Sequence, residues 1–158
     1  MSLRDELTFR DARPEDLAAV LFHLDDDSSN ARRTAPPDPS DPGHIAALAE
    51  VTADPNNRVV VVERQGVVIG TFQLTVIPGV SLKARRRLQV EAVRVRADNR
   101  GLGIGRIMME WASAYGRERE CVLIQLTTDR SRDGRARAFY ESLGFKASHD
   151  GMKMRLDR

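Results

Sequence analysis

Two hydrophobic periods alternate along this chain, and they sort it into strands and helices. Leu7 to Arg10 reads as a short strand. From Pro14 to Leu24, Leu17, Val20, Leu21 and Leu24 recur at helical spacing, with Pro14 suited to a first turn. Regularity then stops: Asp25 to Gly43 holds four prolines and few large apolar residues and is expected to be a surface loop. Ile45, Leu48, Ala49 and Thr52 predict a second helix ending at Pro55. Arg58 to Glu63 and Val67 to Ile77 are β-rich and flank Arg64-Gln65-Gly66, a hairpin turn. After Pro78-Gly79 comes a further strand, Leu88 to Val95. Ile104, Ile107, Met108, Trp111 and Tyr115 then line one face of a long helix. Val122 to Leu126 predicts a strand, Arg135 to Leu143 a helix closed by Gly144, and Met152 to Leu156 a last strand. No internal repeat and no second domain is read, so residues 1–158 are expected to form one domain. Met1 to Leu3 are compatible with a cloning scar.

The stretch between the fourth predicted strand and the long helix carries the chemistry. Arg100-Gly101-Leu102-Gly103-Ile104-Gly105 is a glycine-rich turn that opens a helix. Without Cβ atoms its backbone can adopt strained angles and approach a ligand, while the first helical N–H groups and the helix dipole favour an anion such as a phosphate. A dinucleotide fingerprint requires Gly-x-Gly-x-x-Gly and an acidic residue ending the next strand, whereas Glu120 precedes that strand. A P-loop requires Gly-Lys-Ser/Thr, and Arg106 and Ile107 follow Gly105.

On these residues the chain resembles the GNAT superfamily of N-acetyltransferases. Arg100, Gly103 and Gly105 fill the acetyl-coenzyme A motif Gln/Arg-x-x-Gly-x-Gly/Ala. Ala136, Phe139, Tyr140, Gly144 and Phe145 fill a second, Ala-x-x-Phe/Leu-Tyr-x-x-x-Gly-Phe, in the family's order. The resemblance covers residues 58 to 156 well and the N-terminal third in pattern. It implies an α/β (α+β) fold: a central, mixed, mostly antiparallel twisted sheet of six to seven strands flanked by about four helices.

It also implies a reaction, transfer of acetyl from acetyl-coenzyme A to a primary amine of a small molecule or peptide in a ternary complex. Residues 101 to 106 (Gly101, Leu102, Gly103, Ile104, Gly105 and Arg106) would hold the pyrophosphate through backbone N–H groups, with charge added by Arg100 and Arg106. The pantetheine arm would follow the strand through Val93 and Val95. An amine near neutral pH is protonated, since its reference pKa is about 10, so a base is needed. Strand alternation puts Glu91 on the face of Val93 and Val95, and family members often use a glutamate there through water. A structural ion pair of Glu91 with Arg85, Arg86, Arg87 or Arg94 is the alternative. Gln89 occupies a position where some members carry the base, a role closed to an amide. Tyr140 would donate a proton to the leaving sulfur, against a core-tyrosine alternative. Asp133 stands where an asparagine often bonds the cofactor; a carboxylate cannot donate and repels phosphate.

Composition limits the other classes. A hydrophobic content of 41% supports a core, and 25 basic against 23 acidic residues, net +2, give no argument for nucleic-acid binding. Arginines at 85–87, 94, 96, 100 and between 130 and 137 raise that alternative, but few aromatics accompany them for base stacking. A catalytically silent acyl-coenzyme A sensor is the other alternative. Cys121, the only cysteine, rules out an internal disulfide, implies a cytoplasmic setting, and reads as a packing residue. No apolar run is long enough to span a bilayer. His23, His44 and His149 lack a metal-ligand pattern, so no metal is expected. Asp25, Asp26 and Asp27 could hold a cationic amine or end a helix in solvent. A homodimer is expected, as in many relatives.

Overall fold

The structure is a computed structural model that describes residues 2–25, 37–129 and 134–156. Asp26, Asp27 and Asp133 lie outside the described residues, as do Arg130 and Arg132. The chain divides into two compact units, residues 1–126 and 127–158.

The first unit is built on a five-stranded sheet in the order β1-β2-β3-β4-β5: β1 Leu7–Asp11, β2 Asn57–Arg64, β3 Val67–Ile77, β4 Arg86–Val95 and β5 Cys121–Gln125. The first four are antiparallel neighbours, and β5 is parallel to β4. Among the described residues five strands thus stand where six or seven were expected, in the mixed and mostly antiparallel arrangement anticipated. Gln65 (φ +52°) and Gly66 (φ +77°) turn the β2–β3 hairpin, the two-residue, positive-φ turn whose twist matches its strands.

Helices cover both faces. α1 (Leu17–Asp25) follows a 3-10 turn at Pro14–Asp16, and α2 (Pro42–Ala53) begins at Pro42 because Asp41 Oδ1 accepts from the Gly43 N–H at 2.7 Å. This Asp-Pro cap starts the second helix inside the stretch read as loop. Leu17, Val20, Leu21 and Leu48 pack with Ala12 and Val61 on one face of the sheet. On the other, α4 (Ile104–Glu118) buries Ile104, Met108, Met109 and Ala112, and Trp111 meets Phe72 edge-on at 5.9 Å. With a helix on each side, the consecutive Val60, Val61 and Val62 are all fully buried. A short helix, α3 (Ser81–Ala84), precedes β4.

The second unit holds α5 (Arg135–Ser142). Gly144, at φ +93°, ends it: the Gly144 N–H donates to Glu141 C=O at 3.0 Å and the Phe145 N–H to Tyr140 C=O at 3.1 Å. That pair of bonds satisfies carbonyls the helix leaves open, and a left-handed glycine makes it possible. The predicted strand at 152–156 is not formed. Those residues have no regular structure, and Met152 and Leu156 are 94% and 84% exposed. Alternation supplies a strand pattern, but a strand also needs a ladder partner.

Candidate active site

β4 and β5 part company within the sheet. Their register runs from Arg86↔Cys121 to Gln89↔Gln125, where β5 ends, while β4 continues to Val95 with no β5 residue opposite. The Arg96 N–H donates to Ile69 C=O at 2.8 Å. In an antiparallel ladder successive residues point to alternate sides, so the backbone groups of Val95 face away from β3, toward the side β5 has vacated. Two arginines sit against that edge: Arg94 Nη1 donates to Val93 C=O and Arg100 Nε to Val95 C=O, both at 2.9 Å.

A bulge sits midway along this strand. Gln73 pairs with Glu91 and Thr71 with Arg94, so Phe72 alone opposes both Ala92 and Val93. Ala92 is at φ +53°, a left-handed conformation that a residue with a Cβ adopts only when its surroundings require it. The extra residue shifts the side-chain phase. Glu91 shares a face with Gln73, whereas Val95 shares one with Gly70, three residues away on β3 and so on the opposite face. This corrects the alternation expectation: Glu91 is not on the face of Val95. Glu91 is exposed, and among the described residues no ion pair engages it.

The glycine turn follows immediately. Arg96 and Asp98 form a two-pronged pair at 2.7 Å each, and Asn99 Nδ2 donates to Asp98 at 2.6 Å, which holds the link rigid. The Arg96 guanidinium keeps the Asp98 carboxyl below its ordinary range. Gly101 (φ +79°) and Gly103 (φ +86°) are left-handed, and no atom lies within 4 Å of where a Cβ would stand on either. Gly103 caps α4 with no side chain to bond its amides, and intrahelical bonding begins only at the Arg106 N–H. The N–H groups of Ile104 and Gly105 therefore remain as donors at the positive end of a fifteen-residue helix. Ile104 is 1% exposed and anchors the start of the helix in the core, whereas Gly105 is half-buried. Leu102 and Arg106 are exposed. An open cradle of amides with room above two left-handed glycines fits the diphosphate of coenzyme A, and a strand edge with outward amides fits its arm.

In the second unit, Tyr140 is half-buried on α5, its ring edge-on to Phe139 at 5.0 Å and to Phe145 at 5.6 Å. Cys121 is half-buried, and burial pushes its thiol up, opposite to what a reactive thiol needs. His23 is buried with Nε2 against Val68 C=O at 3.1 Å, a packing role. Sequence reasoning missed the bulge at Ala92 and the place of Gln125, because both depend on register between distant strands. No helix of the described residues is long and apolar enough to cross a membrane.

Comparison with known proteins agrees with this geometry. No curated protein matches the chain in sequence. Among solved structures, a transcriptional regulator from Bacillus halodurans C-125 is 37% identical, with TM-score 0.88 over 95% of this chain and 99% of that one. A protein of Agrobacterium tumefaciens, provisionally named an acetyltransferase, is 26% identical, with TM-score 0.81 over 94% and 99%. A predicted acetyltransferase of Clostridium acetobutylicum, solved with acetyl-CoA, shares the fold at 18% identity, with TM-score 0.72 over 95% and 96%. The family model described as acetyltransferase (GNAT) matches residues 19–145, and with a glycine turn feeding a helix that has no side-chain cap, beside a parted strand pair, the chain belongs to the GNAT acetyltransferase family.

Proposed function

We propose that this protein transfers the acetyl group of acetyl-CoA to a primary amine of a small molecule or peptide, by direct attack in a ternary complex. The observation that carries this reading is the continuity of the parted strand and the glycine turn: β4 loses its β5 partner after Gln89 and leads, within ten residues of Arg96, into the left-handed glycines that open α4. The amides of residues 101–106 hold the pyrophosphate, Arg100 and Arg106 add charge, and the backbone of Val93 and Val95 aligns the arm. Holding the thioester beside the amine supplies a large share of the rate. Glu91 accepts the ammonium proton through water, and Tyr140 donates to the departing sulfur. The reading treats residues 1–158 as one catalytic domain that works in the cytoplasm as a homodimer without a metal.

Acetyl-CoA is expected to raise the melting temperature. At about 100 times Kd the stabilisation is about 2.7 kcal/mol, or about 5–10 °C for a chain of this size. Gly103→Val puts a side chain into the cradle at φ +86° and is expected to lose that shift while remaining folded; an undiminished shift would refute the site. Thiol release across a panel of amines then identifies the acceptor.

The name carried by the Bacillus protein favours a second reading, an acyl-CoA-binding regulator in which Glu91 and Tyr140 are dispensable. Cofactor binding without turnover on any amine supports it. DNA binding that weakens steeply with salt would extend it to nucleic acid.

A further inference from the structure

Where β4 and β5 part, their side chains are tied together. Gln89 and Gln125 are the last register pair between the two strands, and Gln125 Nε2 donates to Gln89 Oε1 at 2.7 Å. Both side chains are half-buried. Gln89 stands opposite Thr75, so the tie lies on the sheet face that carries Glu91, two residues further along β4. Beyond it β4 runs on from Val90 to Val95, about 20 Å at the rise of a strand, with no β5 residue in register. This edge of β4 without a β5 partner, here called the wedge, runs from the glutamine pair to Val95 beside the glycine turn. A linear ligand whose anionic end rests on the first amides of α4, and whose arm follows Val95 and Val93, directs its far end at Gln89 and Gln125.

We infer that the Gln89–Gln125 hydrogen bond sets the length of acyl group this enzyme accepts, closing the wedge to chains longer than acetyl. The inference rests on the acetyl-CoA reading above. The two amides satisfy each other across the strands, so an added methylene has two routes, both unfavourable. It breaks the bond and leaves half-buried amides without a partner, or it packs apolar surface against them. A pocket closed to one extra carbon discriminates by about 10-fold to 200-fold. The pair is a specificity device distinct from the groups that move protons.

Calorimetric titration with CoA, acetyl-CoA, propionyl-CoA and butyryl-CoA tests this without any acceptor. In the wild type, affinity is expected to fall by about tenfold or more with each added carbon. Gln125→Ala opens the wedge and removes most of that fall. Gln89→Ala removes the same bond from the other strand and acts alike, which keeps the test decisive if one variant does not fold. Gln125→Glu keeps the volume and an acceptor for the Gln89 amide, and keeps the preference. Equal wild-type affinities for the three thioesters, or unchanged ratios in both alanine variants, would overturn the inference. A chain that binds neither CoA nor any thioester overturns the acetyl-CoA reading itself, and the inference falls with it.

Discussion

Gly70 offers a quantitative test of how tightly β3 is held against the strand proposed to carry the cofactor. A Cβ built on Gly70 would stand 2.9 Å from the backbone oxygen of Arg94, about half an ångström inside ordinary contact, with Met108 Sδ at 3.5 Å and Cε at 3.7 Å. The methionine is flexible and can give way. The carbonyl cannot, because Arg94 is paired with Thr71 next to the Ala92 bulge and Val95 is paired with Gly70 itself. Two effects oppose each other in Gly70→Ala. Replacing a glycine inside a strand gains about 0.5–1 kcal/mol from the smaller backbone entropy lost on folding, while forcing an extra methyl into a packed site costs about 1–3 kcal/mol. The clash is with backbone, so the cost wins, and the net expectation is a loss of about 1–2 kcal/mol. For a chain of this size that lowers the melting temperature by about 2–8 °C. Gly66→Ala is the control, since nothing lies within 4 Å of its Cβ and only its φ of +77° opposes the change. Urea denaturation and thermal melts of both variants supply the numbers. A Gly70→Ala protein as stable as the wild type, or more so, would refute the reasoning and show that the two strands can move apart freely.

Acid stability should report on Asp16, whose carboxylate accepts from Arg10 at 2.6 and 2.9 Å while Arg10 also binds Glu63. The Arg10 guanidinium holds the Asp16 carboxyl below its ordinary range, so the pair's contribution is complete above the unfolded value near pH 3.9 and disappears as pH falls through the folded one. Asp16→Asn is expected to flatten the acid limb of stability against pH, and a urea series giving the wild-type slope would contradict this. For catalysis, Tyr140→Phe is expected to lower turnover by about 10²-fold to 10⁴-fold with cofactor affinity retained. The defect of Glu91→Gln is partly rescued at high pH, where free amine is already present. Profiles of kcat/KM against pH separate the two, and wild-type rates in both variants would transfer proton handling to solvent.

Local chemistry was enough to read much of this protein. A two-residue turn with Gly66, a helix stopped by Gly144 and an apolar stripe from Ile104 to Met108 are each decided by residues a few positions apart, whose conformational preferences act before any tertiary contact forms. The left-handed glycines ahead of α4 belong to the same class, and so the conformation of that turn was legible. Register lies beyond that range. Whether β4 keeps its alternation depends on how Gln73 and Thr71 meet Glu91 and Arg94 across the hairpin, and one extra residue at Ala92 turns every side chain after it to the other face. The same distance hides the meeting of Gln89 and Gln125, thirty-six residues apart and joined by a single hydrogen bond. A strand pattern at Met152 to Leu156 is likewise only half of a strand, since the sequence supplies the alternation and only a neighbouring backbone can supply the ladder.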